Sequence, residues 1–97
     1  MATEMVGLVV TRHPGLLEVL QERDIAPAGI KVLAHATADD VRGRHVAGVL
    51  PLALAAEAES VTEITLNLPV EARGRELNAA EVRQYMTGIS RYVVRRG

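Results

Sequence analysis

Residues 5–10 form an almost unbroken apolar run, the pattern of a strand covered on both faces as in a parallel sheet. The next apolar positions follow a different period. Leu16, Leu17 and Leu20 fall on one side of a helix over residues 16–24, with Glu18 and Gln21 outside and Pro14 suited to a first helical position. Pro27 and Gly29 then interrupt the chain. Residues 30–36 read as a second strand, with Ile30, Val32 and Ala34 facing one way. Residues 37–44 are polar, with Thr37 and two aspartates placed to start a single helical turn and Gly43 to end it. Residues 46–50 give a third strand, and Pro51 opens an alanine-rich helix through residue 59. Around Ile64, Leu66 and Leu68, apolar positions alternate with Thr65 and Asn67, which predicts a fourth strand. After a polar loop over residues 69–77, Asn78 caps a helix running from about residue 79 towards residue 89. Residues 91–96 fit either a helical extension or a short edge strand. The strand is preferred because β-branched Val93 and Val94 follow the helix-weakening Gly88.

Strands alternating with helices predict a three-layer α/β fold with a small, mostly parallel sheet in the order two, one, three, four. That order has a switch point between the first and third strands, where the following helices leave to opposite faces and ligands bind outside the carboxyl ends. The loops there are residues 11–15 and Leu50-Pro51, with the loop after Leu68 beside them. The 97 residues are expected to form one domain over residues 1–97, with no repeat or linker. A chain of this size buries roughly 60 to 65% of its unfolded surface, so pairing with a second copy is expected.

Charge and composition narrow the partners. Eleven basic against twelve acidic residues give a net charge of −1, without the basic excess of a protein that tracks duplex nucleic acid. Lys31 is the only lysine, a bias that GC-rich codon usage explains as well as function does. No cysteine is present, which excludes disulfides and thiolate metal sites and fits a reducing cytoplasm. Residues 1–10 carry no basic region and only a short apolar run. They read as a strand, not a signal peptide or membrane span.

The candidate chemistry sits in loops. Thr11-Arg12-His13-Pro14-Gly15 joins a buried strand to a helix start, so free backbone N–H groups and the helix dipole are expected to face an anion such as phosphate. Gly15 allows close backbone approach, Arg12 can grip two phosphate oxygens, and His13 is the side-chain type suited to proton transfer near neutrality. The same loop also reads as a tight turn with solvated polar residues. Arg73-Gly74-Arg75-Glu76 would bring two more guanidinium groups to this edge, or is a solvated charged loop. Asn67 is placed to donate to a ligand, or to face water or a second copy. His35 and His45 stand at strand edges and read as structural or surface residues; without cysteine or a helical His-x-x-x-His pair, zinc has little support and no metal or cofactor is expected. Tyr85 and Tyr92, the only aromatic residues, are too few for a base-stacking platform.

Taken in order, Val9-Val10-Thr11-Arg12-His13-Pro14-Gly15, Leu50-Pro51 leading into Leu54-Ala55-Ala56-Glu57, Leu66-Asn67-Leu68-Pro69 and Ala72-Arg73-Gly74-Arg75-Glu76-Leu77 resemble a small CRISPR-associated accessory family of type III loci. The resemblance spans nearly the whole chain. It implies a Rossmann-like homodimer related to sensors of cyclic oligoadenylate. It further implies ring nuclease activity on cyclic tetra-adenylate, cutting by metal-independent attack of a ribose 2′-hydroxyl to leave a 2′,3′-cyclic phosphate. By that resemblance Arg12, His13 and Arg73 are the catalytic candidates, and Thr11, Pro14, Gly15, Leu50, Pro51, Asn67, Arg75 and Glu76 line the ligand. Family members often carry a polar residue after the third strand where this chain has Ala53.

Three rivals frame the expectation. A messenger-binding protein that never cuts needs the same basic cup. A histidine phosphatase would share Arg12-His13 after a strand but places a second histidine late in a longer chain, and nothing after His45 fills that part. A structural subunit of a larger complex predicts an exposed apolar patch, which the polar spacing of Glu81, Arg83 and Gln84 does not favour.

Overall fold

The computed structural model describes residues 5–97, so the part of the amino-terminal strand expectation that falls on residues 1–4 lies outside it. The first apolar run becomes β1 (Leu8–Val10), buried at every position. It is followed by α1 (Pro14–Glu22), with Pro14 in its first turn, then β2 (Val32–Leu33) and a single-turn α2 (Ala38–Val41). Next come β3 (His45–Gly48), the short α3 (Leu52–Ala55) and β4 (Ser60–Leu66). A 3-10 turn (Val70–Ala72), α4 (Ala79–Tyr85) and β5 (Met86–Tyr92) complete the chain.

The sheet order is β2-β1-β3-β4-β5. The first four strands are parallel, with Val10 opposite both Leu33 and Gly48, and β5 adds an antiparallel edge beside β4. The predicted order of the first four strands and the three-layer α/β class are therefore present, with a fifth strand added. One face is covered by α1 and α4. Leu16, Val19, Leu20, Leu77 and Val82 pack there against Val9 and Ile64. Each fully buried leucine or valine contributes about 1.5–3 kcal/mol relative to exposure. The Arg83 Nε donates to Glu22 Oε2 at 3.1 Å and ties the two helices together at the surface. Among the described residues, the helices on the opposite face are α2 and α3, with Val41 and Ala55 packing on Leu8, Val46 and Val61.

Four boundaries differ from the sequence reading, each for a physical reason. The second strand shrinks from residues 30–36 to two residues because it is an edge. Val32, placed on one face with Ile30 and Ala34, is exposed, whereas Leu33 packs against the second core. The alanine-rich helix stops at Ala55, not residue 59. Gly43 N–H donates to the Glu57 carbonyl (3.1 Å) and Glu59 N–H to the Arg44 carbonyl (2.8 Å), which draws the chain out of helical geometry. The fourth strand starts earlier, at Ser60, because buried Ser60 and Thr62 continue the pairing with β3 despite their polarity. The last helix ends at Tyr85 because residues 86–92 pair with β4, and this strand takes most of the stretch assigned to the helix end. Of the ambiguous residues 91–96, only Arg91 and Tyr92 are strand.

Both short polar helix starts are true capping boxes. Thr37 accepts from the Asp40 N–H and Asn78 from the Glu81 N–H, while Asp40 and Glu81 reach back to the cap residues' own amides. Glu81 also pairs with Arg75. The Arg75 hydrogen bond, then that from the Asn78 amide, holds the Glu81 carboxyl below its ordinary range. A carboxyl lowered on folding adds stability above its unfolded titration range and loses it as pH falls through the lowered folded value. We therefore expect Glu81→Gln, which keeps the capping acceptor, to lower the melting temperature at neutral pH. The gap to the wild type should close on acidification. A gap independent of pH would refute the ionic contribution.

Candidate ligand cleft at the switch point

The crossover after β1 carries α1 to one face, and that after β3 carries α3 to the other. The chain thus parts at the carboxyl ends of these two strands and leaves an opening there. A cleft of about 360 Å³ occupies it. Its apolar floor is made by Val10, Leu16, Ile64 and Leu66, and its rim by Thr11, Arg12, His13, Ala34, His35, Gly48 and Val49. Among the described residues no carboxylate lines it, and the charged and titratable groups that do are one arginine and two histidines.

The loop between β1 and α1 is held from several directions. Thr11 N–H donates to the Leu33 carbonyl at 2.9 Å, and Thr11 Oγ1 accepts the His13 N–H at 3.0 Å. His13 is the helix cap, and its carbonyl accepts the Leu16 N–H at 3.0 Å. From the other side, Gly15 N–H donates to the Leu77 carbonyl at 3.1 Å, while Leu77 N–H donates to His13 Nδ1 at 3.0 Å. Gly15 is required by this approach, since a Cβ there would lie 2.1 Å from the Asn78 carbonyl carbon.

These bonds correct one expectation. The amides of His13, Gly15 and Leu16 are already engaged and Pro14 has none, so the helix start does not offer a row of free N–H groups to an anion. Side chains must hold it instead. Arg12 is exposed and makes no ion pair among the described residues. The Leu77 amide can only donate, so Nδ1 of His13 is the acceptor and the neutral ring carries its proton on Nε2. His13 is thereby an oriented N–H donor.

The remaining sequence candidates are dispersed. Arg73 donates from Nε to the Leu68 carbonyl at 3.4 Å, and Arg75 is paired with Glu81 on α4; neither lines the cleft. The predicted convergence of these two guanidinium groups is not what the fold shows, because the α4 cap claims Arg75. Glu76 is exposed and also outside the lining. Asn67 is exposed, its N–H donating to the Tyr85 carbonyl at 2.9 Å. Leu50 packs against the second core and Pro51 caps α3, one and two residues beyond the rim residue Val49. Two participants were not anticipated. Leu77 reaches the site through its backbone, which no residue-type signal could announce. His35 follows the second strand as Arg12 follows the first, and that shared position was the available signal. His45, by contrast, lies at the opposite edge, its Nδ1 2.6 Å from Ser60 Oγ.

Fold and cleft together define an open α/β protein with a cleft at its switch point lined by one arginine and two histidines. Residues 8–95 match the family model described as "Putative CRISPR-associated protein (Cas_VVA1548)", and the chain belongs to that family. No curated protein and no solved structure gives a match.

Proposed function

We propose that this protein is a ring nuclease of type III CRISPR defence, binding cyclic tetra-adenylate and cutting it to linear products that end in 2′,3′-cyclic phosphate, which switches the antiviral signal off. The observation that carries this reading is the cleft itself: in a CRISPR-associated chain, Arg12 and His13 line one cleft that has an apolar floor and, among the described residues, no carboxylate. Phosphate suits the donors and a nucleobase suits the floor. During cleavage the ribose O2′ bonds to phosphorus while the bond to O5′ breaks, and charge builds on the non-bridging oxygens. A preoriented guanidinium and imidazole N–H stabilise that charge without rearranging.

A cleft of this volume takes a ligand at the small end of the usual range, so one copy embraces only part of a tetranucleotide ring. A homodimer supplies the rest. Gly48 borders both the cleft and a neighbouring, mostly apolar groove whose lining includes Leu50, Leu52, Val61, Tyr92 and Val93 with one carboxylate, Glu63. Leu52 is 76% and Val49 72% exposed. This exposed apolar surface, absent from the sequence expectation, lies on the thinly covered face and not on α4. Leu52→Glu should leave the monomer folded yet run as a monomer by light scattering where the wild type is a dimer, with cleavage lost in parallel. A dimeric L52E protein would place the interface elsewhere.

The test of the activity is incubation of the purified chain, with chelator, against cyclic tri-, tetra- and hexa-adenylate, with chromatography and mass analysis of products. Cyclic-phosphate ends from the four-membered ring support a ring nuclease. Tight binding without turnover identifies a messenger sponge, the reading that the fixed Nδ1 of His13 would favour. Neither binding nor turnover refutes both.

A further inference from the structure

Proton transfer in this cleft needs a group that can change its protonation state, and His13 is poorly placed to be one. Its Nδ1 is occupied by the Leu77 amide, so accepting a proton there would set two donors against each other. The cleft holds one other imidazole. Val9 pairs with Val32 and Val10 with Leu33, and the Thr11 N–H continues the register by donating to the Leu33 carbonyl. Arg12 and His35 each stand two residues beyond the ends of these adjacent parallel strands, and both line the cleft. His35 is exposed, lines the cleft and has no hydrogen-bond partner among the described residues. The charged and titratable groups that line the cleft with it are Arg12 and His13. The carboxylates of the next turn are engaged elsewhere, Asp39 by Arg42 and Asp40 by Thr37.

We propose that His35 is the general base of the cleft, a role that rests on the cleavage reading above. An imidazole lone pair of His35 takes the proton of the ribose 2′-hydroxyl as O2′ bonds to phosphorus. The electron pair of the broken bond leaves on O5′, which takes a proton from water. The His35 imidazolium then returns its proton to the hydroxide so formed, and no net proton is gained or lost. Arg12 and His13 hold the phosphate throughout, so binding and proton transfer are divided between the ends of two adjacent strands.

The experiment compares single-turnover cleavage of cyclic tetra-adenylate by the full chain across pH for the wild type, His35→Gln and His13→Asn. The asparagine Oδ1 can keep the Leu77 hydrogen bond while removing the Nε2–H. The wild-type rate should rise with pH and then level off. H35Q should bind the ring as the wild type does but cleave about a hundredfold more slowly, with the levelling gone. H13N should be slower yet keep the wild-type profile shape. A rate for H35Q close to wild type, or a levelling lost in H13N and kept in H35Q, overturns the assignment while leaving the nuclease standing. A wild type that makes no cyclic phosphate at any pH removes the nuclease and the base together. Because His35 is exposed, a matching melting temperature verifies that H35Q is folded.

Discussion

Replacing Arg12 with alanine is expected to slow ring cleavage by about 10²–10³-fold and to weaken ring binding, with the melting temperature unchanged. The expectation follows from what Arg12 does and does not touch. Its side chain is solvent-exposed and forms no ion pair among the described residues, so nothing in the folded chain depends on it. Its only assigned work is on the ligand, where charge on two phosphate oxygens can be met by two parallel N–H groups. Arg12→Lys should recover part of the binding and little of the rate, since an ammonium keeps the charge but not the forked geometry. Single-turnover kinetics with calorimetric binding to cyclic tetra-adenylate separates the two effects. If R12A both binds and cleaves as the wild type does, the phosphate does not sit at the end of β1 and the cleft is not the active site.

Gly48→Ala should cost about 3 kcal/mol or more of stability, a large share of the 5–15 kcal/mol typical of a domain. Gly48 has φ +136°, a conformation that L side chains rarely adopt, and an added Cβ would lie 1.9 Å from the Val10 carbonyl oxygen. The obstacle is backbone on the neighbouring strand, so no rotamer change relieves it. To accommodate the methyl group, β1 and β3 must separate at the very point where the cleft opens. Gly88→Ala is the matched control: no atom lies within 4 Å of the added carbon and φ is not positive. Urea denaturation of both variants should show a large loss for G48A and little change for G88A. Equal stability of G48A and wild type would mean that the close approach of β1 and β3 is not required.

How much of this was legible beforehand depended on whether a residue's type matched its environment. Leu8, Val9 and Val10 are buried on both faces, and their unbroken run announced a central parallel strand. Pro14, Asn78 and Thr37 mark helix starts by chemistry that acts locally, and each stands where that chemistry predicts. The switch point followed from the alternation of strands and helices. Apart from the shortened edge strand β2, the failures are cases of distant partners overriding local preference. Ser60 and Thr62 are buried in β4 although their polarity reads as loop. Residues 57–59 leave a favourable alanine helix because the segment over residues 42–44 offers them backbone partners. In the cleft, Arg12 and His13 were identified from the strand-to-helix loop. The arginines of the later loop, expected at the same edge, do not line the cleft; a carboxylate on α4 competes for Arg75. His35 looked like an edge residue until the fold placed it in the cleft lining with Arg12.

The unequal coating of the sheet gives the cleft two unlike jaws. The jaw bearing Arg12 and His13 is rooted in α1 and braced by Leu77, elements that share the larger core. The opposite jaw runs from Gly48 into α3, a helix of four residues that is too short to persist by its own hydrogen bonds. Local opening concentrates where few buried groups must be exposed, so the second jaw yields at low free-energy cost while the first holds its shape. In the proposed reaction, a ring would be admitted and its products released by motion on one side alone, without disturbing the groups aligned on phosphorus.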